Sequence, residues 1–111
     1  SCHCGKVTFT VESDVPTQGM SCNCSHCRRK GFIWSFVPRD VFSLSSGEDH
    51  LQTYLFNKHV IEHRFCDACG CQPFGLGTMA DGSKVAAINL RCVPSIDLDG
   101  LSIQKVDGAK H

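Results

Sequence analysis

Large apolar side chains are scarce in this sequence. It holds one Trp, one Tyr and two Met, and seven Phe carry nearly all of its aromatic content. Its hydrophobic fraction of 41% includes nine cysteines, and without them about a third of the chain is apolar. A domain of 111 residues with so thin a core usually needs staples. An excess of either charge is also missing. Eleven Lys and Arg balance eleven Asp and Glu, so no overall field draws the chain to nucleic acid or to an anionic membrane. No apolar run approaches the roughly 20 residues of a membrane-spanning helix, and no signal-peptide pattern is visible. Nowhere does an apolar 3.6-residue period persist for three turns, which argues against a helical fold. Linkers, charge blocks and repeats are absent too, so residues 1–111 read as one domain.

Cysteine is what the sequence has in quantity. The nine fall in clumps: Cys2 and Cys4; Cys22, Cys24 and Cys27; Cys66, Cys69 and Cys71; and Cys92 alone. An odd number leaves a free thiol, and C-x-C pairs do not bridge locally with ease, so a disulfide framework is disfavoured. Clustered thiols suit a metal ion, which needs several ligands at about 2.3 Å. That chemistry belongs to a reducing compartment, the cytoplasm.

Alternation marks the strands. Lys6 to Glu12 sets Val7, Phe9 and Val11 on one face against polar residues on the other. Strands are also expected at Phe32–Val37, Val41–Leu44, Leu51–Phe56, His59–Phe65, Phe74–Thr78, Lys84–Leu90 and Leu101–Val106, with turn residues every 8 to 12 positions. A short turn after Pro94 is the one helical possibility. The expected fold is mainly β, made of small antiparallel sheets and hairpins clamped by metal. Exposed strand edges in so small a protein allow a monomer or a homodimer.

Cys66-Asp67-Ala68-Cys69-Gly70 reads as a metal knuckle. The chain turns tightly under the ion, and the residue after the second Cys commonly needs φ > 0, which Gly supplies at little cost. One knuckle gives two ligands, and a closed structural zinc needs four. Cys2 and Cys4 can supply the others, because residues i and i+2 of an extended chain project to one face. Cys22-Asn23-Cys24-Ser25-His26-Cys27 packs three thiols into six residues, and all three can bind one ion from a single loop. Three thiolates leave a tetrahedral zinc one ligand short, the mark of a catalytic or ligand-exchanging site. The other reading is a second structural site completed by Cys71, Cys92 or a histidine. Cys92, between Leu90 and Val93 in an apolar stretch, also reads as a small buried hydrophobe.

The motifs S-C-H-C-G-K-V-T-F at the start, C-N-C-S-H-C-R-R-K-G from Cys22 and F-C-D-A-C-G-C from Phe65, with N-L-R-C at Asn89–Cys92, resemble the glutathione-dependent formaldehyde-activating enzyme family, which includes centromere protein V. The likeness runs from Ser1 to about Gly108. It implies a β-tent fold of small sheets, a structural zinc on Cys2, Cys4, Cys66 and Cys69, and a second zinc on Cys22, Cys24 and Cys27. The activity implied is that of a carbon–sulfur lyase that adds glutathione to formaldehyde, giving S-hydroxymethylglutathione.

Thiol addition to a small carbonyl assigns expected roles to the neighbouring residues. Arg28, Arg29 and Lys30 form the one basic run and are candidates to hold the carboxylates of glutathione. His26 could shuttle a proton near neutral pH. Trp34 and Phe36, with Phe32, could wall the pocket and exclude water. A non-enzymatic zinc module, binding a protein or sensing thiol-reactive compounds, is the alternative.

Overall fold

The alternating start of the chain behaves as its pattern requires. In the computed structural model, which describes residues 1–55, 61–79 and 81–107, β1 (Thr8–Val11) pairs antiparallel with β4 (Phe42–Ser46) as a two-stranded sheet. Val7 is fully buried, and Phe9 and Val11 pack against the core behind it. The other strands are β2 (Gln18–Cys22), β3 (Trp34–Pro38), β5 (Leu51–Tyr54), β6 (Ile61–Cys66), β7 (Phe74–Thr78), β8 (Lys84–Asn89) and β9 (Ser102–Val106). They form one sheet in the order β5-β6-β7-β8-β3-β2-β9. Its neighbours are antiparallel except β2 and β9, which run parallel with Gln18 opposite Ser102 and Cys22 opposite Val106.

The two faces of the large sheet bury different things. Along β8, Ala86 and Ile88 join the main core with Phe42, Leu51, Phe74 and Leu90. Ala87, one residue out of phase, joins a second cluster with Cys27, Phe32 and Trp34. Successive strand residues point to opposite faces, so the main core, with Cys2 and Cys66, and the Cys27 cluster lie on opposite sides of one sheet. Phe42 and Phe74, with ring centroids 4.8 Å apart, and Phe9, 5.7 Å from Phe42, fill the space between the two sheets. Fully burying one such Phe contributes about 2 kcal/mol, so a handful of rings carries much of the core.

The mainly β expectation holds, and the strands gather into one large sheet and one small one. Phe74–Thr78 forms with the bounds expected from the turn at Asp81-Gly82-Ser83 that follows it. The ends of the expected strands at Phe56, His59 and Val60 lie outside the described residues. Besides 3-10 turns at Arg39–Val41, Glu48–His50 and Leu90–Cys92, two elements were not anticipated. One is β2, whose Gln-Gly-Met-Ser-Cys sequence is a poor strand former; its pairing with β3 and β9 overrides that propensity. The other is α1 (Ser25–Lys30), in the segment read as a loop. It starts at Cys24, whose sulfur accepts the Cys27 N–H as an N-cap, and ends at Gly31 in the left-handed region, φ 72°. Past Pro94 the chain makes a single 3-10 turn at Leu98–Gly100. No helix of the described residues is long and apolar enough to cross a membrane.

Candidate metal centres

The knuckle forms at the end of β6. Cys66 closes that strand, the chain reverses through Asp67 and Ala68, and the Gly70 N–H donates to the Cys66 carbonyl at 2.8 Å. Gly70 takes φ 78°, as its place after the second Cys requires. The N-terminal pair comes alongside because the Cys2 N–H donates to the Val7 carbonyl at 3.0 Å, while the Val7 N–H donates to the Cys2 Sγ at 3.4 Å. The sulfurs of Cys2, Cys4, Cys66 and Cys69 thus lie within 4.8 Å of one another. Cys4 Sγ is 3.6 Å from Cys2 Sγ and 3.7 Å from Cys66 Sγ. A tetrahedral ion with bonds of about 2.3 Å sets its sulfurs roughly 3.8 Å apart, so the spacing fits a cation. All nine cysteines are free thiols.

The electrostatics ask for the same cation. Desolvation would raise the Cys69 thiol, but N–H groups of Cys4 and Cys71 and the adjacent thiols bring it down to about 6. The Lys6 N–H works to lower Cys4, yet desolvation and the thiols of Cys2, Cys66 and Cys69 push it up to about 11. Four thiols this close cannot all ionise until a positive charge joins them.

The second centre sits on the other face of the sheet. Cys22 ends β2, Cys24 caps α1 and Cys27 lies in its first turn. Their sulfurs are also within 4.8 Å of one another, and among the described residues no fourth His, Cys, Asp or Glu donor joins them. Three N–H groups are aimed at these sulfurs: Cys24 N–H to Cys22 Sγ at 3.4 Å, Cys27 N–H to Cys24 Sγ at 3.3 Å and the Trp34 indole to Cys27 Sγ at 3.5 Å. Burial pushes the Cys27 thiol up to about 12 against the pull of the Trp34 donor. Burial also works to raise Cys24, but the N–H and thiol of Cys27 prevail and lower it. Cys71 and Cys92 belong to neither group. Cys92 is half-buried, its sulfur 3.7 Å from the Asn89 amide and 3.9 Å from the Gln72 carbonyl.

The residues grouped by sequence around Cys27 are separated by the helix. Arg28 lines a cleft of about 640 Å³ beside Cys22 and Cys27. Arg29 folds back on α1, its guanidinium donating to the Ser25 carbonyl at 2.8 Å. Lys30 and His26 line another cleft with Tyr54 and Gln72. There the His26 ring lies 4.5 Å from His63 and 5.2 Å from Tyr54. Burial, then the charge of Lys30, holds His26 below its usual 6.5. Burial, then His26, lowers His63 to about 4. Trp34 is buried under Cys27, whereas Phe36 is 43% exposed and lines clefts that none of the three cysteines touches. An apolar gap of about 190 Å³ lies on the core side between Phe9, Val37 and Ile88, away from both thiol groups.

Sequence reasoning missed the other charged residues of the first cleft, Arg91, Lys105 and Asp107. The Arg91 guanidinium Nε donates to the Gly31 carbonyl at 2.7 Å, a contact across 60 residues that no local pattern announces. Lys105 sits beside Ser21 in the β2–β9 pairing, and Asp107 accepts the Asn23 amide at 3.0 Å.

Fold and site together define a mainly β protein with two cysteine clusters, one on each face of its large sheet and each able to hold a metal ion. The family model described as glutathione-dependent formaldehyde-activating enzyme matches residues 1–98. The chain belongs to that family, as its cysteine motifs indicate. The crystal structure of a Rhodobacter sphaeroides protein shares the fold at a TM-score of 0.79. It is 23% identical, and the match covers 94% of this chain and 97% of that one.

Proposed function

We propose that the protein adds a small thiol, glutathione or a close relative, to formaldehyde or another small carbonyl at the Cys22/Cys24/Cys27 centre. In this reading zinc occupies both clusters, with a structural role at Cys2, Cys4, Cys66 and Cys69. The observation that carries the proposal is a group of three thiols, without a fourth protein donor among the described residues, opening on a cleft large enough for a small peptide. Family membership supports the same chemistry. Of the alternative, a non-enzymatic zinc module that binds a protein or senses thiol-reactive compounds, the protein-binding form calls for a flat surface and is less well supported beside such a cleft.

Cys22, Cys24 and Cys27 would hold the zinc ion, which would supply Lewis-acid chemistry, favouring the thiolate form of a substrate or polarising its carbonyl partner. The chain's own groups set up that site. N–H groups of Cys24 and Cys27 and the Trp34 indole hold the sulfurs and stabilise their charge. Phe32 and Trp34, both 4% exposed, keep water from the buried side. Arg28 adds positive charge at the cleft wall. In the reaction the C–S bond forms as the carbonyl π bond opens, and the thiol proton ends on the new hydroxyl. No oxidant or reductant is needed. His26, turned toward His63 and Tyr54, is in a different cleft from the one that Cys27 lines, so solvent is the proton carrier we assign.

Exchange NMR on glutathione and formaldehyde tests the proposal. Zinc-loaded protein should speed the interconversion with S-hydroxymethylglutathione, and Cys24→Ser should return it to the uncatalysed rate. A wild-type rate no faster than buffer, or a fully active Cys24→Ser, would contradict it.

A further inference from the structure

The cleft beside Cys22 and Cys27 carries a charge pattern that the sequence does not group. Three cations reach it from three separate elements: Arg28 from the last turn of α1, Arg91 from the 3-10 turn after β8 and Lys105 from β9. Arg91 is anchored by its bond to the Gly31 carbonyl, which leaves its terminal N–H groups to point elsewhere. Lys105 is placed by its register opposite Ser21, the residue before Cys22. Asp107, steadied by the Asn23 amide, is the one acidic side chain among the described lining residues.

We infer that Arg28, Arg91 and Lys105 bind the carboxylates of the thiol substrate, and that Asp107 receives its ammonium group. The inference rests on the proposed reaction and deepens it, assigning the charged groups of the thiol substrate to named side chains of this cleft. Three cations and one carboxylate complement two carboxylates and one ammonium. The contiguous run Arg28-Arg29-Lys30 does not provide this, because Arg29 is committed to Ser25 and Lys30 lines the cleft of His26 and Tyr54.

Calorimetry on zinc-loaded protein, with no carbonyl present, reads the inference apart from turnover. Arg28→Ala and Lys105→Ala should each weaken glutathione about fivefold, and the pair together about 25-fold, as expected for partly exposed ion pairs that act independently. Glutathione with both carboxylates esterified should bind weakly and alike to wild type and variants. Asp107→Asn should weaken glutathione but leave its N-acetyl derivative unaffected. Arg29→Ala should leave the affinity for glutathione unchanged. Absence of binding, equal affinity for the diester and the diacid, or an Arg29→Ala loss matching that of Lys105→Ala would each overturn the inference. Charge-dependent binding without catalysed exchange would uphold it and remove the proposed reaction instead.

Discussion

The Trp34 indole offers the sharpest single-atom perturbation. Its N–H points at the Cys27 sulfur at 3.5 Å, in a site where both side chains are buried, at 4% and 8% exposure. Trp34→Phe keeps an aromatic ring against Phe32, whose centroid is 4.2 Å away, but removes the donor. A hydrogen bond to a charged group contributes about 1.5–3 kcal/mol. At about 1.4 kcal/mol per factor of ten, that loss corresponds to a fall in metal affinity of about 10–100-fold, the usual range for removing a group that supports a ligand. The loss should be local, because the four-cysteine centre lies across the sheet and does not touch Trp34. Chelator competition under reducing conditions should release one zinc at a lower chelator concentration than in wild type and the second at an unchanged one. Two unchanged release steps, or two that shift together, would refute the role given to the indole.

Acid should expose the buried histidine. Unfolded, His63 takes a proton below about 6.5; folded, only below about 4, chiefly because it is buried. The unfolded chain therefore binds the extra proton between those values. Stability from this group is complete above pH 6.5 and falls as pH drops toward 4, by about 3 kcal/mol in all. His63→Gln should flatten that part of the denaturation-versus-pH curve, and parallel curves for variant and wild type would count against it. Gly70→Ala places a Cβ in open space but at φ 78°. It should cost about 1 kcal/mol and lower Tm by roughly 4–8 °C without loss of metal; a scan showing no change would mean that the knuckle relaxes at no cost. Cys66→Ser breaks a centre that ties the N-terminal segment to β6 and faces the main core. It should leave the chain largely unfolded by far-ultraviolet circular dichroism, whereas Cys24→Ser should leave the spectrum native.

Much of the site was legible because its chemistry is local. The C-x-x-C-G knuckle and the three thiols within six residues announce themselves by spacing, alternation was enough to place β1, and the Asp81-Gly82-Ser83 turn to place β7. What escaped notice depends on distant partners. Strand β2 has no apolar pattern of its own and exists because β3 and β9 flank it. Helix α1 is too short to show a period, and its start is a sulfur cap that sequence rules reserve for hydroxyls and carboxylates. That helix also misled the reading of the basic run. Three adjacent cations in a loop would face one substrate, but on a helix successive side chains turn by about 100° and part company. Arg91 and Lys105, far away in sequence, take the places beside Arg28.

Zinc per chain, measured by elemental analysis on protein purified under reducing conditions, bears most directly on the two-centre account. Wild type should hold two and Cys24→Ser one, with the fold retained. A wild type holding one, or a Cys24→Ser variant still holding two, would contradict it.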